Sequence, residues 1–383
     1  MLRRLITPLL LSAVAAPLAA QSAEQGAFIT RLGQDTVAVE RFTRDSGTIR
    51  GELIERVPRT RVTQYTAMLG PDGGIVRLDA SVRAPLDSSP RPLATVTLIM
   101  LGDSATQIVQ QRDSSRTVRF ATTRTAVPVL DFYGYALYQP YLTRLTAGDS
   151  LPIDLIVPGN PRPMESWLMR LGGDSVSIGM FGYPLIAQVK DGRFVSLDGQ
   201  LTTDKVKVER VADVNIATLA RQFASRDKTG QALGQLSPRD TTTATVAKAE
   251  LLVDYGRPSV RGRKIFGGIV PWGEVWRTGA NAATQFSTSK DLVIGDSTVP
   301  AGKYTLWTLP SPERTLLIVN RQTGQWGTEY DSTQDLIRIP LHRTLLADPV
   351  EQFTITLPVN NDQATLEFAW DRTRYWVPLR VKP

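Results

Sequence analysis

Apolar and polar residues alternate with a period of two along most of this chain. Val206-Lys207-Val208-Glu209-Arg210-Val211 is the clearest case. Phe28-Ile29-Thr30-Arg31-Leu32, Ile75-Val76-Arg77-Leu78 and Ala94-Thr95-Val96-Thr97-Leu98 follow it more loosely. Successive side chains of a strand point to opposite faces, so this pattern predicts strands with one buried face. Turn-forming clusters punctuate them: Gly33-Gln34-Asp35, Gly70-Pro71-Asp72-Gly73-Gly74, Gly102-Asp103-Ser104, Gly172-Gly173-Asp174 and Asp191-Gly192-Arg193. Short strands joined by such turns predict a β-rich antiparallel meander, half-barrel-like, over residues 25–224. Two helical stretches interrupt it. Near Val129–Leu142, the residues Leu130, Tyr133, Leu137, Tyr138 and Tyr141 can share a face, which reads as core packing. Ile216, Leu219, Ala220 and Phe223 follow the helical spacing, with Asp213 as the N-cap candidate.

The segment 225–236, rich in polar and turn-forming residues, is expected to be a linker, and residues 237–383 a second unit. Strand-like runs recur there at Val246–Tyr255, Lys303–Leu309, Thr315–Val319, Phe353–Leu357, Thr365–Trp370 and Tyr375–Val381. Trp370 alternates with Phe368 and Leu366 and should be core. Pro378 cannot donate to a ladder, which suggests an edge strand. The chain is therefore expected to be mainly β, its second unit a β-sandwich of which a jelly roll is one form.

The N-terminus changes the picture of where the protein works. Met1-Leu2-Arg3-Arg4 is basic, Leu5 to Ala16 is apolar, and Pro17-Leu18-Ala19-Ala20-Gln21 offers small residues for cleavage. An apolar run this short cannot span a bilayer, which takes about 20 residues, so residues 1–20 read as a signal peptide. Export to the periplasm or beyond is expected, with no transmembrane segment. With no Cys and a single His, His342, there is no disulfide, thiol nucleophile or Cys-ligated metal, and no metal or other cofactor is expected. The net charge of +7 is spread along the chain rather than gathered on one run, which argues against nucleic acid as a partner. Gly102-Asp103-Ser104 matches an esterase nucleophile segment only in part, because the accompanying Asp-x-x-His is missing at His342. It reads as a tight turn.

An ordered set of motifs lies in the second unit: Tyr255-Gly256-Arg257-Pro258, Arg261-Gly262-Arg263, Pro271-Trp272-Gly273, Trp276-Arg277-Thr278-Gly279-Ala280-Asn281, Pro300-Ala301-Gly302-Lys303-Tyr304 and Gln325-Trp326-Gly327. In this order they resemble the exported bacterial family known as domain of unknown function 2911, over about residues 237–383. That family has no established activity, so the resemblance implies extent rather than chemistry. Its pattern carries an acidic residue after the Ala-Asn pair, where this chain has Ala282, and a catalytic carboxylate there is not implied. Residues 25–235 resemble no family.

Chemistry must then be read from residue types. Arg257, Arg263 and Arg277 can grip a carboxylate or phosphate bidentately. Trp272, Trp276, Trp326 and Tyr330 offer aromatic faces, Asn281 and Thr284 offer neutral hydrogen-bonding groups, and Asp331 and Asp335 offer carboxylates. This set suits a carbohydrate or another small polar or anionic ligand, bound without catalysis. The same glycine turns and arginines could equally serve only to fix loops, with Arg277 paired to Asp331 or Asp335. Two other readings stand beside it: a hydrolase using Asp331 and Asp335 with an arginine, and a carrier of lipid or apolar peptide on the N-terminal sheet. No catalytic residue is assigned. The ligand and the oligomeric state are not legible.

Overall fold

The computed structural model describes residues 23–383 apart from 87–90, 143, 146–147, 181–182 and 203–204. The expected signal peptide lies outside the described residues. The chain is mainly β and its apolar residues gather into two large separate cores, one in each half.

The N-terminal half is one sheet of fifteen strands. Eight hairpin-linked strands run outward from Glu24–Leu32 to the edge strand Ser114–Ala121. The chain then crosses to the opposite edge at Val127–Pro128 and meanders back to Lys207–Val211, which pairs antiparallel with the first strand (Ile29 opposite Glu209). The sheet does not close into a barrel, but side chains clasp its two ends. Asp154 accepts from Thr122 Oγ1 (2.9 Å) and the Thr123 N–H (2.6 Å), and the Gln107 side chain accepts from the Gly159 N–H (2.8 Å).

The inner face is filled by a turn of 3-10 helix, Tyr135–Tyr138, running into the short α-helix Gln139–Leu142, every residue of which is buried. Tyr135 stacks on Phe194 (5.5 Å), and Phe28 stacks on Phe42 (5.5 Å) beneath them. The tyrosine stripe is thus core, as its spacing suggests. The helical part is shorter than the pattern implies, because Asp131 and Phe132 both adopt positive φ and turn the chain before it. Glu40, buried below this segment, accepts from Tyr65 Oη and from the Ala136 N–H.

The helix Ile216–Lys228 lays Ile216, Ala220 and Phe223 against Val39 and Ile54. Its N-cap is Asn215, accepting from the Thr218 N–H (2.9 Å), because Asp213 is engaged with Arg41 (2.8 Å). Residues 225–228 of the expected linker are the last turn of this helix.

The C-terminal half has a six-stranded sheet, in spatial order Arg239–Val246, Ala249–Gly256, Thr284–Thr288, Gly302–Leu309, Leu316–Asn320 and Asp335–Pro340. The other sheet is built on the long strand Gln363–Val381, flanked by Leu292–Ile294 and His342–Thr356. Trp370, 1% exposed, lies in the core with Phe368 and Leu366. Pro378 is not on an edge strand. It sits where Gln363–Val381 changes neighbours: pairing with His342–Thr356 ends at Trp376 and pairing with Leu292–Ile294 begins at Leu379. A missing N–H costs no ladder bond there, and the Pro378 carbonyl accepts from the Gly295 N–H (2.8 Å). Residues 257–283, which carry most of the motifs, form an irregular excursion between two strands of the six-stranded sheet.

Among the described residues no helix is long and apolar enough to cross a membrane.

Candidate functional site: a cavity between the two halves

The tip of the first hairpin, Gly33-Gln34-Asp35, docks on Arg261-Gly262-Arg263. Arg261 forms an ion pair with Asp35, and its carbonyl accepts from the Gln34 N–H (3.1 Å). Gly33 has positive φ, and a Cβ on it would overlap the Arg261 carbonyl, so only glycine permits this approach. One of the arginines grouped by the sequence therefore joins the halves.

Beside this contact lies a cavity of about 830 Å³ with walls from both halves. Leu201, Glu274 and Asn281 in its wall are exposed, so it opens to solvent. The C-terminal half supplies Trp276, Trp307, Tyr330 and Trp370, and the N-terminal half and connecting segment supply Leu32, Val57, Leu201 and Leu236. Trp276 reaches the cavity because its N–H and C=O bridge to Thr308 (2.7 and 2.8 Å) and its ring stacks on Trp370 (5.7 Å, 13°).

Charge in the wall is one-sided. Among the described lining residues, Lys205, Arg263 and Arg277 are cationic and Glu274 is the single acid. Arg263 spends its hydrogen bonds on carbonyls, those of Val260 (3.1 Å) and Ser259 (2.6 Å). Burial, and then the neighbouring Arg261, push its guanidinium down to about 10, with Glu351 and Asp35 opposing. Lys205 Nζ donates to the Gln200 carbonyl (2.8 Å). Its ammonium is also depressed, by burial first and then by Arg277 and Arg263, with Glu274 and Asp198 opposing. Arg277 lays its stem across Gly327, where a Cβ would overlap Arg277 Cδ, and Gly327 N–H donates to the Asn281 carbonyl (2.9 Å).

Of the residues singled out by the sequence, Arg263, Trp276, Arg277, Asn281 and Tyr330 line this cavity. The others do not. Arg257 is tied to Asp240 (2.9 Å), the Phe353 carbonyl and Thr354. Trp272 stacks on Phe266 (6.0 Å). Thr284 is fully buried and donates to the Thr278 carbonyl (2.7 Å). Trp326, 44% exposed, precedes the lining residue Gly327. Asp331 caps a 3-10 turn, accepting from the Thr333 hydroxyl (2.6 Å) and the Thr333 N–H (2.9 Å), and these hold its carboxyl below the usual range. Asp335 accepts from Tyr330 Oη (2.7 Å), Arg338 (2.8 Å) and Asn320 (2.9 Å), so its ion-pair partner is Arg338 rather than Arg277. Burial and that carboxylate raise the Tyr330 phenol to about 12. Among the described residues no three His, Asp or Glu side chains are grouped to hold a metal. Lys205, Glu274 and Leu201 carried no signal in the sequence, because only tertiary docking brings them to this wall.

Residues 237–379 match the family described as "Protein of unknown function (DUF2911)", in agreement with the resemblance of the motifs. No curated protein sequence matches the chain. Among solved structures, a DUF1089 family protein from Pseudomonas aeruginosa aligns at 14% identity over 45% of this chain and 94% of its own, with a TM-score of 0.33. A botulinum neurotoxin type C structure, described by that toxin's interaction with two ganglioside molecules, aligns at 10% identity over 94% of this chain and 89% of its own, with a TM-score of 0.11. Neither score is high enough to equate the folds.

Proposed function

We propose that this is an exported binding protein that holds a small anionic ligand, without catalysis, in the cavity between its halves. The observation that carries the reading is a cavity of about 830 Å³ whose described wall holds three cations against one acid. That volume is of the size that encloses a small organic ligand. Half-buried cations in a partly apolar wall favour an anion, because exchange of water for a counter-ion recovers their lost solvation. The narrower sugar reading has less behind it: Trp307 and Trp370 are buried, and no flat platform of exposed indoles lines the cavity. The hydrolase reading also has less, since Asp331 and Asp335 are committed to a turn cap and to Arg338.

The test compares 2-naphthoate with its neutral isostere naphthalene-2-carboxamide by titration calorimetry on the full mature chain. The anion should bind about tenfold more tightly at low salt, a difference of one charge–charge interaction, and the gap should narrow at high salt. Equal affinities, or no binding of the anion, would refute the proposal.

A further inference from the structure

The proposed ligand carries an apolar body and a doubly negative head, and the head is gripped from both halves at once; this rests on the reading above and names its ligand class. We infer that Lys205 of the N-terminal half and Arg263 of the C-terminal half bind the two negative charges, while the body lies along Leu32, Val57, Leu201 and Leu236.

The charge count comes from what these two cations lack. Elsewhere around this junction arginines are neutralised by carboxylates: Arg257 by Asp240, Arg261 by Asp35 and Arg338 by Asp335. Among the described residues neither Lys205 nor Arg263 has a carboxylate within ion-pair distance, and each is bonded to carbonyl oxygens only. Carbonyls satisfy N–H groups without cancelling charge, so both cations keep their charge in one half-buried wall whose single described acid is Glu274. Both line the same cavity, one from each half. Carboxylates act on each only from beyond ion-pair distance, Glu274 and Asp198 on Lys205 and Glu351 and Asp35 on Arg263, and a ligand of charge −2 would meet both cations directly. Lys205 is fixed for this role, its backbone held at a positive φ of 52° with its N–H donating to Thr202 Oγ1 (3.4 Å).

An ester phosphate and a pair of adjacent carboxylates share this chemistry. The probes are therefore 2-naphthyl phosphate, 2,3-naphthalenedicarboxylate and the monoanion 2-naphthoate, titrated into the full mature chain at pH 7.5, where the phosphate is largely dianionic. At least one dianion should bind about tenfold or more tightly than 2-naphthoate. Whichever leads identifies the head as phosphate or dicarboxylate. Lys205→Met, which keeps length and removes charge, should erase most of that preference, whereas Lys205→Arg should retain it. Thermal melting of each variant checks that it folds. If all three probes bind alike, or if Lys205→Met keeps the preference, the inference falls while anion binding stands. If none binds, both fall together.

Discussion

Glu40→Gln should remove a pH dependence of stability from the N-terminal half. Glu40 is buried against the inner helical segment, and burial outweighs its hydrogen bonds from Tyr65, Ala136 and Tyr135, raising its carboxyl from 4.5 to about 7. A difference of that size is worth about 3 kcal/mol between the two protonation states. The folded chain binds this proton more tightly than the unfolded chain does. Stability from Glu40 is therefore complete below about pH 4.5, and it is lost as the pH rises through about 7. Glu55 acts in the same direction: burial, then Asp131, raise its carboxyl to about 8 against the pull of Arg61, which extends the loss upward. A glutamine is neutral throughout. Its carbonyl can still accept from Ala136 N–H, and the Tyr65 hydroxyl can rotate to accept from the amide. Urea unfolding read by pulsed hydrogen exchange over residues 24–69 isolates this half. Wild type should lose up to about 3 kcal/mol between pH 4.5 and 8 from this group, and the variant should gain that much over wild type at pH 8 while matching it at pH 4.5 within about 1 kcal/mol. Parallel pH profiles for the two proteins would show that Glu40 is ionised in the fold and that its three donors outweigh burial.

Gly327→Ala places a Cβ on both the Arg277 stem and the Asn281 carbonyl, so the backbone there must shift; the melting temperature should fall and 2-naphthoate binding should weaken together, and unchanged stability and affinity would refute the close packing at Gly327. Trp370→Ala removes a fully buried indole and should cost about 3–5 kcal/mol in urea unfolding of the C-terminal half, as other buried aromatic truncations do.

The strands and their turns were legible because each states its chemistry locally. Gly102-Asp103-Ser104 forms the tight turn its residues imply, with Gly102 at positive φ and Ser104 Oγ returned to the Leu101 carbonyl (3.1 Å). Trp370 and Phe368 are core because alternation is a property of one strand. What depended on pairing was not legible. Nothing in Phe28–Leu32 says that its second neighbour is Lys207–Val211, although the two runs share the same alternation. Pro378 was misplaced for the same reason: a proline excludes a ladder bond, but the sequence does not show that the strand changes partners there. The cavity was half legible. Arg263, Trp276, Arg277 and Asn281 sit in one continuous excursion, while Lys205 arrives from a turn in the other half.

The arginines show why the motif alone could not separate binding from scaffolding. An arginine is charged wherever it lies, so its role is set by whether a carboxylate comes within reach. Arg257 meets Asp240 across a neighbouring strand, and Arg338 meets Asp335 three residues away. Arg261 meets Asp35, more than two hundred positions earlier, and with it the docking of the halves. These pairs hold loops and interface in place. Arg263, two residues from Arg261 and identical to it in any local reading, turns instead to the carbonyls of Val260 and Ser259 and lines the cavity with no carboxylate in ion-pair contact among the described residues. The docking that consumes Arg261 also covers Arg263 and brings Lys205 into the same cavity wall. The excess charge of the cavity is thus a consequence of assembling the two halves, and either half alone would carry only part of it.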